Sequence, residues 1–177
     1  MTVSEYFATP EQVRPQELIY GVIRVQDAPF VPHQRVLFRF ALALHAHLEQ
    51  TAEGELLLAP VDVVLDRERA LVVQPDAAVV MRERSSIVQD RIYGAPDIAL
   101  EILSPHPRIG TLEERVRWFA RYGVREIWIY RQPDRALDVL TCADGLIASR
   151  ATFTSGKVVS AVLPGFARSV AAIVGAW

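Results

Sequence analysis

Hydrophobic positions along the chain follow two different spacings. From His33 to Gln50 the apolar residues recur every three or four positions, which predicts one helix. The same spacing over 111–122 predicts a second helix, and Gly123 follows it as a C-cap. Near-continuous apolar runs with polar ends predict buried strands instead. The strongest of these runs covers 97–103.

Shorter apolar runs fill the rest of the pattern. We expect two short strands around Gly21 within 17–25, and a short helix in "SVAAIVGAW" at the end of the chain. The remaining predicted strands are 55–65 with Pro60 at an edge or bulge, 70–73, 76–81, 125–132, 136–142, and the meander runs "LIASRATFT" and "KVVSAVL". This order predicts an α+β (mixed α/β) fold, with a central mixed β-sheet flanked by helices and a C-terminal β-meander.

Length and composition fit a single domain over residues 1–177. Hydrophobic residues make up 51% and charged residues 23%, the profile of a globular protein. No apolar run reaches the roughly 18 residues that a membrane helix needs, and the N-terminus is too polar for a signal peptide. We therefore expect a cytoplasmic location. A lone Cys142 excludes an internal disulfide and a cysteine-based zinc site.

The charge balance excludes a broad basic face. The formal net charge is −2 and the pI about 6.1, although all but one of the 19 basic residues are arginines. Only the segment from Arg108 to Arg135 carries a local surplus, with seven arginines against four acids. A nucleic-acid backbone would be attracted there.

Strand 97–103 poses a chemical question, because it carries two acids. Side chains alternate between the faces of a strand, so Asp97 and Glu101 share a face with Ala99 and Leu103. Glu101 then lies in the middle of a buried strand. A buried glutamate is costly unless it is paired, neutral or bound to a cation. Asp97 lies roughly 13 Å away along the strand, too far to share a metal ion with it.

A neighbouring strand supplies a closer acid. Asp76 follows Pro75 at the start of the apolar run "DAAVV". Adjacent strands lie about 4.8 Å apart, so Asp76 and Glu101 on paired strands would together hold one hard cation. Mg²⁺, or Mn²⁺ in its place, suits one or two carboxylates completed by waters and substrate phosphates.

An arginine offers a different partner for Glu101. On the helix 111–122, Arg115 lies in the apolar stripe with Leu112, Val116 and Phe119, so it is aimed at the sheet. An ion pair between Arg115 and Glu101 accounts for both residues without any catalysis. The pattern alone leaves the metal site and the ion pair both open.

The chain resembles the Uma family of restriction-endonuclease-domain proteins. The resemblance covers most of 16–135 and rests on the ordered runs "VVQPDAAVV", "GAPDIALEILSP" and "EERVRWFARYGVREIWIY". The ending "LPGFARSVAAI" is also similar to that of the family. Members of the family are similar to PD-(D/E)XK nucleases, which hold Mg²⁺ between acids at adjacent strand ends.

The resemblance implies roles for five residues. Asp76 is the motif aspartate and Glu101 the second metal ligand. Glu17 helps to shape the site, and His33 lies where family members usually carry a histidine that touches phosphate or water. Arg115 occupies the helix position to which the family lysine has moved.

Several positions depart from the family pattern. Leu103 stands two residues after Glu101, where a lysine is otherwise expected. "YGV" replaces a common Asp-Gly-Glu, and Thr111 and Arg131 stand where acids are common. Arginine stays protonated, so Arg115 cannot act as a base, although it can stabilise phosphate charge.

Three hypotheses follow. The first is a Mg²⁺-dependent DNA endonuclease with a partly degenerate site. The second is a catalytically inactive nuclease-fold protein that binds nucleic acid or a protein partner, with Arg115 neutralising Glu101. The third is a structural or regulatory homo-oligomer, in which Trp118, Trp128 and edge strands of the meander form the interface. A homodimer also suits an enzyme that cuts two strands.

Overall fold

A computed structural model describes residues 1–10, 14–103 and 109–175 of the chain. Its helices are α1 (Val3–Phe7), α2 (Val31–Thr51), α3 (Ile109–Tyr122) and α4 (Val170–Val174), with a 3-10 helix at Arg82–Ile87. The strands are β1 (Gln16–Ile19), β2 (Val22–Val25), β3 (Gly54–Leu58), β4 (Val63–Asp66), β5 (Leu71–Val73), β6 (Ala77–Met81), β7 (Ile92–Tyr93), β8 (Ile98–Leu103), β9 (Glu126–Arg131), β10 (Ala136–Ala143) and β11 (Leu146–Phe153).

These strands form two mixed sheets. The smaller sheet has the order β2-β1-β5-β4-β7, and the larger has the order β11-β10-β9-β8-β6-β3. In the larger sheet β8 pairs antiparallel with β6 and parallel with β9. The chain crosses from the smaller sheet to the larger one between β5 and β6, at Gln74, Pro75 and Asp76. The candidate site lies at this crossing.

Both faces of the larger sheet are covered. The sequence of β8 is almost wholly apolar because this strand is buried on both faces. Ile98, Leu100 and Ile102 join a core with α2 and α4. Ala99 points the other way, into a core that contains α3 residues and residues of the smaller sheet. A strand buried on both faces loses the polar alternation of a half-exposed strand. Glu101 shares the face of Ala99 and therefore points towards α3 and the smaller sheet.

The helices follow their apolar spacing. Val36, Leu37, Phe40 and Leu44 of α2 are all at most 6% exposed. α3 ends before Gly123, whose φ of 98° is the left-handed conformation that glycine adopts most readily. The β1–β2 hairpin turns at Tyr20 and Gly21, both with positive φ. Such turns match the twist of the flanking strands.

Three sequence expectations need correction. The run 55–65 is not one strand, because the chain turns at Pro60 and places β3 and β4 in different sheets. "KVVSAVL" forms no strand; it contributes one isolated bridge, Lys157 to Ser169, and its Val158 and Val162 pack into the core. Trp128 cannot form an interface, since it is fully buried and its indole N–H donates to Glu126 at 2.9 Å.

Among the described residues, no helix is long and apolar enough to cross a membrane.

Candidate active site

Strand register brings Asp76 and Glu101 together. The antiparallel pair β6–β8 aligns Ala77 with Leu100, so the next residues outward, Asp76 and Glu101, lie side by side on the same face. Asp76, directly before β6, and Glu101, within β8, thus lie on paired segments of the chain. The Glu101 side chain is 13% exposed and that of Asp76 20% exposed, so both reach the edge of the core and retain some access to solvent.

Two groups hold the Asp76 carboxylate. Its Oδ2 accepts the backbone N–H of Ile102 at 2.7 Å, which fixes the acid to the neighbouring strand. Its Oδ1 lies 3.0 Å from Nε2 of His33, at the start of α2. His33 therefore lies beside the acids, where the sequence predicts it. The first turn of α2 lies over the end of the sheet and brings it there.

Arg115 connects the two sheets beneath these acids. Its Nε donates to Glu101 at 2.5 Å and its Nη1 to Glu17 at 2.6 Å. Its Nη2 donates to the carbonyl oxygen of Gln74 at 2.8 Å. All three nitrogens are thus committed to protein acceptors. The ion pair between Arg115 and Glu101, one of the two readings that the sequence left open, is present.

Glu17 lies on β1 and is 2% exposed. Besides Arg115, it accepts the backbone N–H of Gln74 at 2.6 Å and the side-chain amide of Gln26 at 2.7 Å. These bonds satisfy a buried carboxylate at the junction of the two sheets. Glu17 therefore helps to hold Arg115 in position.

Asp97 belongs to a different cluster at the far end of β8. Its carboxylate is fully buried and accepts the backbone N–H of Met81 at 2.8 Å. It also pairs with Arg84 at 3.1 Å and Arg125 at 3.2 Å. Asp97 and Glu101 thus have separate surroundings.

Burial and neighbouring charges shift the protonation of these groups. Burial raises the pKa of Glu101 to about 7; the Arg115 cation opposes this shift, and the negative charge of Asp76 adds to it. Burial disfavours protonation of His33, but the hydrogen bond and charge of Asp76 outweigh it, so the pKa of His33 is raised. Near neutral pH the site therefore binds protons more readily than free side chains do.

The donor set suits one particular kind of metal site. Among the described residues, no group of three or more His, Cys, Asp or Glu side chains converges closely enough to hold a metal ion. Asp76 and Glu101 remain as an adjacent pair of carboxylates. Mg²⁺ commonly takes one or two protein carboxylates and completes its shell with waters and phosphate oxygens. Asp76 and Glu101 therefore fit a Mg²⁺ ion of this kind. They do not fit a site in which every metal ligand comes from the protein.

Gln74 is a residue that the sequence reasoning missed. Its backbone binds both Glu17 and Arg115, and its amide Nε2 donates to Asp62 at 2.9 Å. Its Oε1 is buried without a hydrogen-bond partner in the described part of the chain. A buried acceptor of this kind is suited to an ordered water. The sequence feature that points to Gln74 is its position directly before Pro75 and Asp76, in the run "VVQPDAAVV" that resembles the family.

Of the arginines between 108 and 135, three form ion pairs with acids, and Arg108 lies outside the described residues. Arg115 pairs with the site acids, Arg125 with Asp97, and Arg131 with Asp134 and Asp138. Arg117 and Arg121 remain exposed on the outer face of α3. The segment is therefore a weaker attraction for a phosphate backbone than its count of arginines suggests.

Comparisons with known proteins agree with this architecture. The sequence model of the Uma2 family, described as a putative restriction endonuclease, matches residues 3–171. A search of curated proteins finds no match. The crystal structure of a putative nuclease belonging to DUF820 from Anabaena variabilis ATCC 29413 aligns with a TM-score of 0.79 and 16% identity, covering 98% of this chain and 97% of that chain. At this identity the likeness shows the fold, and it confirms the predicted α+β class.

Proposed function

Because the chain belongs to the Uma2 family, described as putative restriction endonucleases, we propose that it is a divalent-cation-dependent nuclease that hydrolyses phosphodiester bonds in DNA. The observation that carries the proposal is the adjacent pair of carboxylates. Asp76 directly precedes β6 and lies beside Glu101 of β8, and both are partly open to solvent. Two neighbouring carboxylates are a suitable arrangement for a hard cation.

In this proposal Asp76 and Glu101 hold Mg²⁺, or Mn²⁺ in its place. A bound ion of this type polarises a phosphoryl oxygen and lowers the pKa of a bound water. The chain's own residues orient the two carboxylates. The N–H of Ile102 fixes Asp76, and Arg115 fixes Glu101.

The other three predicted site residues take supporting roles. His33 has a raised pKa, so its imidazolium can donate a proton or a hydrogen bond next to Asp76. We assign Arg115 to positioning, because each of its nitrogens already donates to a protein acceptor. Glu17 balances the charge of Arg115 from the neighbouring sheet. This use of Arg115 differs from a direct contact with the transition-state phosphate.

One observation favours a second candidate, a nuclease-fold protein without catalytic activity. The guanidinium of Arg115 already lies 2.5 Å from Glu101 and supplies the positive charge that a metal ion would bring. Such a protein would bind nucleic acid or a protein partner and would need no divalent cation. The two candidates therefore differ in the binding of metal by Glu101 and in the cleavage of DNA.

A homodimer is the assembly that we propose for the nuclease, since two copies would present two sites to the two strands of a duplex. β11 lies at one edge of the larger sheet and nearly all of it is exposed, which supports contact with another copy. Sedimentation velocity over a range of concentrations tests this. A single species with the mass of one chain at all concentrations would contradict it.

The experiment for the nuclease uses a supercoiled plasmid with Mg²⁺ or Mn²⁺. The wild-type protein should nick or linearise the plasmid, and chelation of the metal should stop the reaction. Asp76→Asn and Glu101→Gln should each lose nearly all activity. Glu113→Gln, which removes an exposed acid on the outer face of α3, is the matched control and should cut like wild type.

Calorimetry with the same metals separates the two candidates. Metal binding that disappears in Glu101→Gln supports the nuclease. An absence of binding at millimolar metal, together with an intact plasmid, would overturn the nuclease and favour the inactive protein.

A further inference from the structure

A small cavity opens at the end of the larger sheet, on the α2 side. Its volume is about 210 Å³. Its walls come from the start of α2 and from the end of β9 with the turn that follows. The lining residues are Pro32, Arg35, Val36, Tyr130, Gln132 and Arg135.

Two arginines, Arg35 and Arg135, and one glutamine, Gln132, are among the lining residues. Among the described residues, no acid lines the cavity. Arg135 donates to the carbonyl of Gly175, a neutral acceptor, at 2.6 Å. Tyr130 packs against Phe40 with ring centroids 5.2 Å apart and closes the floor. Burial raises the pKa of Tyr130, so its phenol stays neutral.

Both walls of the cavity lie close to the carboxylates of Asp76 and Glu101. His33, which contacts Asp76, lies between Pro32 and Arg35 on α2. On the other wall, the amide of Gln132 donates to the carbonyl of Leu103 at 2.8 Å. Leu103 is two residues beyond Glu101 along β8, about 7 Å at the rise of a strand. A nucleic-acid strand lying at the carboxylates would carry further phosphates past the cavity.

Resting on the function proposed above, we propose that this cavity binds a phosphate group of the nucleic-acid strand whose scissile phosphate lies at Asp76 and Glu101. Guanidinium groups match phosphate oxygens by paired hydrogen bonds, and two arginines line one cavity here. The volume is below the roughly 300–1,000 Å³ of sites that enclose drug-sized ligands, so a single phosphate fits better than a whole nucleotide. The phosphate belongs either to the backbone or to a strand end.

The test measures binding without cleavage. Fluorescence anisotropy with a labelled duplex of about 20 base pairs is recorded in EDTA, over a series of salt concentrations. Arg35→Gln and Arg135→Gln, singly and together, should weaken binding, by about tenfold in the double variant, and reduce the salt slope by about one phosphate contact. The single variants provide the readout if the double variant does not fold.

Arg82→Gln is the matched control, because Arg82 is an exposed arginine that follows the opposite end of β6. It should bind like wild type. The probes also distinguish the source of the phosphate. If a strand end is bound, 5′- or 3′-phosphorylated oligonucleotides should bind more tightly than 5′-hydroxyl ones, and the double variant should lose that preference. If the backbone is bound, the variants weaken all probes equally.

The outcomes separate this inference from the nuclease proposal. Variants that match wild type in affinity and salt slope on every probe would overturn the cavity, even if the wild-type protein cuts DNA. Binding that depends on Arg35 and Arg135, in a protein that never cuts DNA, would keep the cavity and overturn the nuclease.

Discussion

Arg115 bridges Glu17 and Glu101, two carboxylates that lie on strands of different sheets. Its nitrogens approach them to 2.6 and 2.5 Å, and the three side chains are at most 14% exposed. A third bond ties the same guanidinium to the chain crossing at Gln74. One side chain of α3 therefore fixes the position of both sheets relative to the candidate site.

Removal of this cation should destabilise the fold strongly. Arg115→Met keeps the apolar stem but leaves two buried carboxylates without their partner. We expect a loss of about 3–5 kcal/mol in the free energy of unfolding, measured by urea denaturation. Arg117→Met, on the exposed face of the same helix, is the control and should change stability by less than about 0.5 kcal/mol.

Arg115→Lys should fall between these two values, because its ammonium keeps the charge but cannot reproduce the planar geometry by which three nitrogens of the guanidinium reach three acceptors. A variant Arg115→Met that is as stable as wild type would show that the bridge contributes no net stability.

Much of this arrangement follows from sequence, and the reasons are local. The apolar spacing of α2 and α3 predicts which face of each helix is buried. The apolar runs of β6 and β8 predict that both strands are buried. The order of these elements then makes β6 and β8 plausible neighbours. The approach of Asp76 to Glu101 was predictable for that reason.

Other features depend on tertiary contacts that no local pattern encodes. The split of 55–65 into β3 and β4 requires the second sheet, whose existence the pattern does not show. The bond between Glu17 and Arg115 joins residues 98 positions apart in the chain. In the sequence Gln74 is an ordinary polar residue. Only the fold shows that its backbone is bonded to both Glu17 and Arg115.

Asp97 and Glu101 should respond differently to neutralisation, although only three residues separate them in the chain. Asp97→Asn weakens the contacts with Met81, Arg84 and Arg125 at the far end of β8. We expect a loss of about 1–3 kcal/mol in the free energy of unfolding, and no change in metal affinity of the folded protein. Urea denaturation and calorimetry measure the two effects. A large loss of metal binding would contradict the separation of the two clusters.

His33 should titrate above the ordinary pKa of a histidine. The hydrogen bond and charge of Asp76 raise its pKa despite burial, so its contribution to stability is present below pH 6.5 and is lost as the pH rises through the higher folded value. NMR titration of the imidazole protons measures this. In Asp76→Asn the pKa should fall towards or below 6.5, since burial then acts with less opposition. An unchanged pKa would show that Asp76 does not hold the imidazolium.

Metal binding should weaken as the pH falls below 7. Burial raises the pKa of Glu101 to about 7, and the ion binds its ionised form, so a proton competes with the metal. Calorimetry with Mg²⁺ at pH 6, 7 and 8 should show affinity rising to a plateau, with at most about a tenfold change per pH unit. Repeating the titration at pH 6 in buffers of different ionisation enthalpy should reveal proton release.

The stability of the metal-free protein gives an independent check on the same group. A pKa raised in the folded state means that the folded protein holds the proton more tightly than the unfolded chain does. The contribution of Glu101 to stability is therefore fully present below its unfolded value of about 4.5 and is lost as the pH rises through about 7. Glu101→Gln should remove this part of the pH dependence. A wild type whose metal affinity and stability are both flat between pH 6 and 8 would show that Glu101 is already ionised in its pair with Arg115.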